Sequence, residues 1–160
     1  NLDRSEADIV VRSTNNPPEH LVGRRLFPYA VCYYAQRQYF QTTAQEDYNW
    51  IGSDGDGDFP EWVKQSPYPA SPVTVRTTSY HMRHLALVAG LGLARGACFM
   101  ADCHPELMRL PGCEPFDTLD FWVLTHPDLR DLPRIKATMA SLVEALEEKR
   151  DLIQGRLAGN

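Results

Sequence analysis

Apolar and polar residues run along this chain in short blocks, some with a period of two and some with a helical period of about 3.6. Ala7 to Arg12 is a short apolar run closed by a charge and predicts a strand. Ser13 to Glu19 carries two asparagines followed by two prolines and predicts a loop. Val22 to Tyr34 is rich in β-branched and aromatic residues, so it predicts an extended segment, interrupted at Pro28. Arg37 to Tyr48 has room for a short helix. Tyr48 to Ile51 is apolar, and Gly52 to Asp58 behind it predicts a flexible polar loop. Phe59 to Gln65 predicts a helical turn with Pro60 near its start.

The second half is more regular. Val73 to Thr77 alternates as a strand does. Ser79 to Leu91 predicts a helix with Ser79 as N-cap, with Met82, Leu85, Ala86 and Ala89 on one face, and with Gly92 at its C-terminal end. Leu93 to Met100 predicts the next strand, and Leu119 to Leu124 another. Pro133 opens a helix whose apolar face is Ile135, Met139, Leu142, Val143 and Leu146, opposite Glu144, Glu147, Glu148 and Lys149. Strands alternating with helices predict an α/β fold built on a mixed, mostly parallel sheet.

Composition narrows the function classes. At 160 residues, 43% hydrophobic and 23% charged, the chain has enough apolar material for a core. Its net charge of -5 gives little counterion-release affinity for a phosphate backbone, so this segment does not read DNA by itself. Cys32, Cys98, Cys103 and Cys113 form no CxxC pair and predict free, mostly buried thiols in a reducing, cytoplasmic setting. No apolar run is long enough for a membrane helix. The chain starts at Asn1 rather than Met, which predicts a fragment of a longer protein.

Candidate chemistry is sparse. Asp54, Asp56 and Asp58 look like the opening of a calcium loop, but Phe59 stands where that loop needs glycine and Gln65 where it needs a bidentate Glu. The plainer reading is an acidic loop. His81 and His84 lie three apart on the predicted helix, and Cys103 and His104 are adjacent, yet no further ligand falls at a recognised spacing. No GxSxG elbow marks a nucleophile, and Gly90-Leu91-Gly92 lacks the rest of a phosphate loop. No cofactor is implied. Thr77, Thr78 and Ser79 are different: hydroxyls at a helix N-terminus, just past the C-terminal end of a strand, suit an anion. Plain N-capping is the competing reading.

From Val73 onward the order of residues resembles the effector-binding domain of LysR-type transcriptional regulators. The resemblance is carried by Leu85 to Ala94 (LALVAGLGLA), Cys98 to Asp102 (CFMAD), Glu106 to Leu110 (ELMRL), and above all Leu119 to Arg130 (LDFWVLTHPDLR) with the helix that follows. Upstream, Glu6 to Arg12 and Leu21 to Leu26 fall in the right order. Gly96 and Ala97 depart from the family pattern, which favours a larger apolar residue and a proline there.

The resemblance implies a two-lobed fold like that of periplasmic solute-binding proteins, with the first lobe incomplete at its N-terminus. Residues about 1–25 and 120–160 would form lobe one, about 30–115 lobe two, with Val22 to Tyr33 and Pro115 to Leu124 crossing between them. By position, the effector would contact Arg12, Ser13, Thr14, Ser53, Asp54, Thr77, Thr78 and Ser79. The implied function is sensing of a small polar or anionic metabolite. The implied assembly is a homo-oligomer, a dimer or tetramer, with DNA bound only by a winged helix-turn-helix outside this chain and with no membrane partner. An extracytoplasmic solute-binding protein is the first alternative, and a metal-dependent enzyme built on His81 and His84 the second.

Overall fold

The structure, a computed structural model, describes residues 7–157. Seven strands form one mixed sheet: β1 (Ile9–Ser13), β2 (Val22–Gln36), β3 (Trp50–Ser53), β4 (Val73–Thr77), β5 (Leu93–Ala97), β6 (Leu107–Arg109) and β7 (Phe116–Thr125). The helices are α1 (Arg37–Thr42), α2 (Glu61–Lys64), α3 (Tyr80–Val88), α4 (Cys98–Ala101), α5 (Pro133–Glu148) and α6 (Arg150–Ile153), with a 3-10 turn at Gln45–Asp47. The strand order is β1-β7-β2-β5-β3-β4, and β6 pairs with β2 off that path.

Two long strands organise the sheet. β2 and β7 pair antiparallel from Val22↔Thr125 to Val31↔Phe116, with register shifts on either side of Pro28. Proline cannot donate to the ladder, so a long strand must break step around it. These are the two segments expected to cross between lobes. On one side β7 carries β1; on the other, β2 carries β5 and β6. Parallel pairing is confined to β4-β3-β5, where short helical connections return the chain in the same direction.

Two clusters of buried residues draw on alternate positions of β2, β3 and β5. One joins Ala30, Cys32, Tyr34, Ile51, Leu87, Ala94 and Cys98; the other joins Ala35, Tyr48, Trp50, Val63, Val73, Leu93 and Leu110. Apolar burial of this kind contributes about 25 cal/mol per Å² removed from water. A third buried element is ionic. The Asp102 side chain, 4% exposed, takes Arg109 Nη2 at 2.5 Å and Nε at 3.1 Å, and Tyr34 donates its hydroxyl to the same carboxylate at 2.8 Å. Arg109 Nη2 also reaches the Gly155 carbonyl at 2.8 Å. The C-terminal turn α6 therefore packs on α4 and β2, so residues 150–157 lie beside elements of the 30–115 segment rather than apart from it.

Several local expectations shift. The predicted strand over Leu93 to Met100 ends at Ala97, and Cys98–Ala101 turns into α4. Helix α3 stops at Val88, and its glycine signal belongs to Gly90, not Gly92. Gly90 has φ +71; its N–H donates to the Leu87 carbonyl and that of Leu91 to Ala86, the paired bonds of a Schellman end. The loop after β3 is pinned rather than free. Asp56 accepts from the Ser53 amide at 2.7 Å and from the Trp62 indole, while Arg76 binds the Asp56 carbonyl and the Asp58 carboxylate.

Candidate functional site

The candidate site is a cleft where β1, β7 and β2 meet β5, α3 and α4. A cavity of about 170 Å³ lies there. β1 contributes Ser13, β2 contributes Tyr29 and β7 contributes Phe121. β5 supplies Ala94 to Ala97, α3 supplies Tyr80, Arg83, His84 and Leu87, and α4 supplies Phe99 and Met100. The geometry follows from the topology: the crossing strands bring the end of β1 against the elements that follow β4 and β5. A larger and more open hollow of about 630 Å³ flanks β1 and β7 near His20 and His126, but no Phe, Tyr or Trp lines it.

The cleft is mostly apolar, with a few polar groups that converge. Tyr29, Phe99 and Phe121 form a ring cluster, with centroids 5.7 Å apart for Tyr29–Phe121 and 6.1 Å for the other two pairs. Arg83 Nη2 donates to Ser53 Oγ at 2.5 Å, and its guanidinium lies 5.1 Å from the Tyr80 ring centroid. Burial pulls the Arg83 pKa down from its ordinary value, although Tyr80 and Asp56 oppose this. His84 also titrates below the usual imidazole range, first because it is buried and then because His104 and His81 are near. Arg95 stacks over Trp62 at 5.3 Å.

The eight residues expected at the site divide. Ser13 lies on the cleft wall, and Ser53 reaches it through Arg83. Thr77, Thr78 and Ser79 precede Tyr80, but two of their hydroxyls are already engaged: Ser79 Oγ accepts from the Met82 amide and Thr77 Oγ1 donates to the Ser79 carbonyl. Thr14 closes a turn with Asn16. Arg12 and Asp54 are exposed and do not line the cavity. Tyr29, Arg83, Phe99 and Phe121 were missed. The signal for Arg83 was its place in the first turn of α3, directly after the Thr77–Ser79 hydroxyls.

The histidines and thiols hold no reactive arrangement. His84 and His104 stand 6.0 Å apart, centroid to centroid, and Cys103 is exposed. Among the described residues, no group of three or more His, Cys, Asp or Glu side chains is placed to hold a metal ion. Cys32 and Cys98 are buried. Burial pushes the Cys32 thiol up to about 12, far from the thiolate a nucleophile needs. No helix among the described residues is long and apolar enough to cross a membrane.

Comparisons with known proteins bear on this arrangement. Residues 1–147 match the family model described as the LysR substrate binding domain. The effector domain of the transcriptional regulator AmpR of Pseudomonas aeruginosa superposes with a TM-score of 0.66 at 18% identity, covering 91% of this chain and 76% of that one. The regulatory domain of CrgA, a LysR-type transcriptional regulator from Neisseria meningitidis, gives 0.64 at 19% identity over 87% of this chain and 75% of that one. The regulatory domain of AphB in Vibrio vulnificus gives 0.57 at 18% identity, with 91% and 78% covered. Identities this low show a shared fold. Among curated proteins no sequence matches. With nearly the whole chain matched by the family model, the chain belongs to the LysR substrate-binding domain family and is a ligand-sensing regulatory domain.

Proposed function

We propose that this domain senses a small polar or anionic metabolite in the cleft between β1, β7 and α3, and passes that state on through contacts between copies of the chain. The observation that carries the reading is the composition of the cleft wall, which draws side chains from both sides of the two long strands. A ligand there contacts Ser13 and Phe121 on one side and Arg83 and Phe99 on the other. It therefore favours whichever relative placement of the two sides it binds best, by as much as its affinities for them differ. Ser53 is the second hydroxyl of this site, and Ser79 shapes it by starting α3. Arg12, Thr14, Asp54, Thr77 and Thr78 act, on this reading, only when the two sides close.

Exposed apolar side chains at Met82 and Leu85 on α3, and at Leu91 just beyond it, also support self-association. In the full reading, DNA is bound in the cytoplasm by an element outside this chain. Thermal shift against a metabolite panel tests the sensing step. Small acids or polar metabolites should raise Tm. If only apolar compounds did so, the reading would fail.

A further inference from the structure

We infer that the cleft selects a small carboxylate whose body is a flat apolar ring, and that Arg83 is the residue that grips the carboxylate. This rests on the cleft being the effector site and adds the chemistry of the ligand.

The first observation is an incompletely matched cation. Arg83 makes one hydrogen bond, to the neutral Ser53 hydroxyl, and its buried Nε has no partner among the described residues. A buried N–H without an acceptor is destabilising, and a guanidinium without a counter-charge more so. Asp56, the nearby acid, is occupied by the Ser53 amide and the Trp62 indole. A carboxylate entering the cleft supplies the counter-charge that Arg83 lacks there. Its two oxygens match the terminal nitrogens of an arginine, a strong charge-assisted pairing for this side chain. Ser53, already on Nη2, stays in reach of the same oxygens.

The second observation is the rest of the wall. Tyr29, Phe99 and Phe121 touch one another edge-on or tilted and present an aromatic surface to the cavity. Rings of this kind favour another flat ring, offset or edge-to-face. Volume sets the size. An apolar cavity of about 150 Å³ takes up one benzene, and this one is about 170 Å³. One ring fits, with its carboxylate directed to Arg83.

Calorimetric titration of the intact protein with benzoate, benzamide and lactate tests this. Benzamide keeps the ring without the charge, and lactate keeps the charge without the ring. Benzoate should bind with both rivals roughly tenfold weaker or worse. Arg83→Gln should weaken benzoate by a similar factor and leave benzamide where it was; Arg83→Lys, with charge but no fork, should fall between. Equal binding of benzoate and benzamide in the unaltered protein overturns the inference without any variant, as does undetectable benzoate binding. Ser13→Phe fills the opposite wall and separates the two layers of the argument. Benzoate binding that survives Ser13→Phe overturns the cleft as the site. A polyol or amino acid that binds and is lost in Ser13→Phe, while benzoate does not bind, overturns only the ligand class.

Discussion

Asp102 shows how one residue joins distant parts of the chain. Its side chain is nearly inaccessible, yet it meets Arg109 through two nitrogens and Tyr34 through its hydroxyl, and Arg109 continues to the Gly155 carbonyl. Burial first, then the neighbouring Cys98 and Asp102, push the Tyr34 hydroxyl above its ordinary range, so it stays a donor. Removing one partner of such a pair leaves the other buried without compensation. Asp102→Ala should therefore lower unfolding free energy by about 3–5 kcal/mol. Urea denaturation measures this, and a loss under about 1 kcal/mol, the range of an exposed pair, would contradict it. None of this was readable from the sequence, where Asp102 appeared only inside a family-like stretch.

At the scale of elements, α3 shows both the reach and the failure of pattern reading. Ser79 as N-cap was legible, because a hydroxyl before an apolar run has few other uses there, and the structure has it accepting from Met82. The face was not legible. Met82 and Leu85 are 53% and 47% exposed, whereas Leu87 is buried and Arg83 and His84 line the cleft. A helix apolar on more than one side satisfies two periodic templates, and periodicity cannot rank them.

The same helix predicts a pH response. His84 is held neutral by burial and by His104 and His81 beside it, with Arg83 and Arg95 on the same cleft wall. Its folded pKa lies below the usual 6.5, so between the two values the unfolded chain binds a proton that the folded chain does not. Stability is full above the usual value and falls as pH drops through the folded one. His84→Gln should flatten that fall in melting temperature. Identical pH profiles for the two proteins would remove His84 as its source.

On the scale of the whole molecule, the two long strands decide what the cleft contains. Because β2 and β7 pair with each other and carry separate neighbours, the end of β1 faces α3 across the molecule. The exposed apolar side chains on α3 belong to this scale too. If they join copies of the chain, Leu85→Glu should shift sedimentation toward the smaller species while leaving the melt intact, because Leu85 is half exposed and supports little of the core. An unchanged distribution would place the contact elsewhere. α6 adds a link of its own. By packing on α4, whose Phe99 and Met100 line the cleft, it ties the chain's C-terminal turn to the site.

By itself, the sequence determined the α/β class, most of the elements and the family. Each of these depends on neighbours a few residues apart: alternation in β4, the proline that opens α5 and its apolar stripe, and the order of residues from Leu119 to Arg130. Tertiary structure alone decided which faces are buried, which thiols are inert, and that Ser13, Tyr29, Arg83, Phe99 and Phe121 share one cavity. Those residues lie on five elements spread over most of the chain, and only the strand order brings them together. Local spacing carries no record of that order, because it is set by competition among all the apolar surfaces for burial at once.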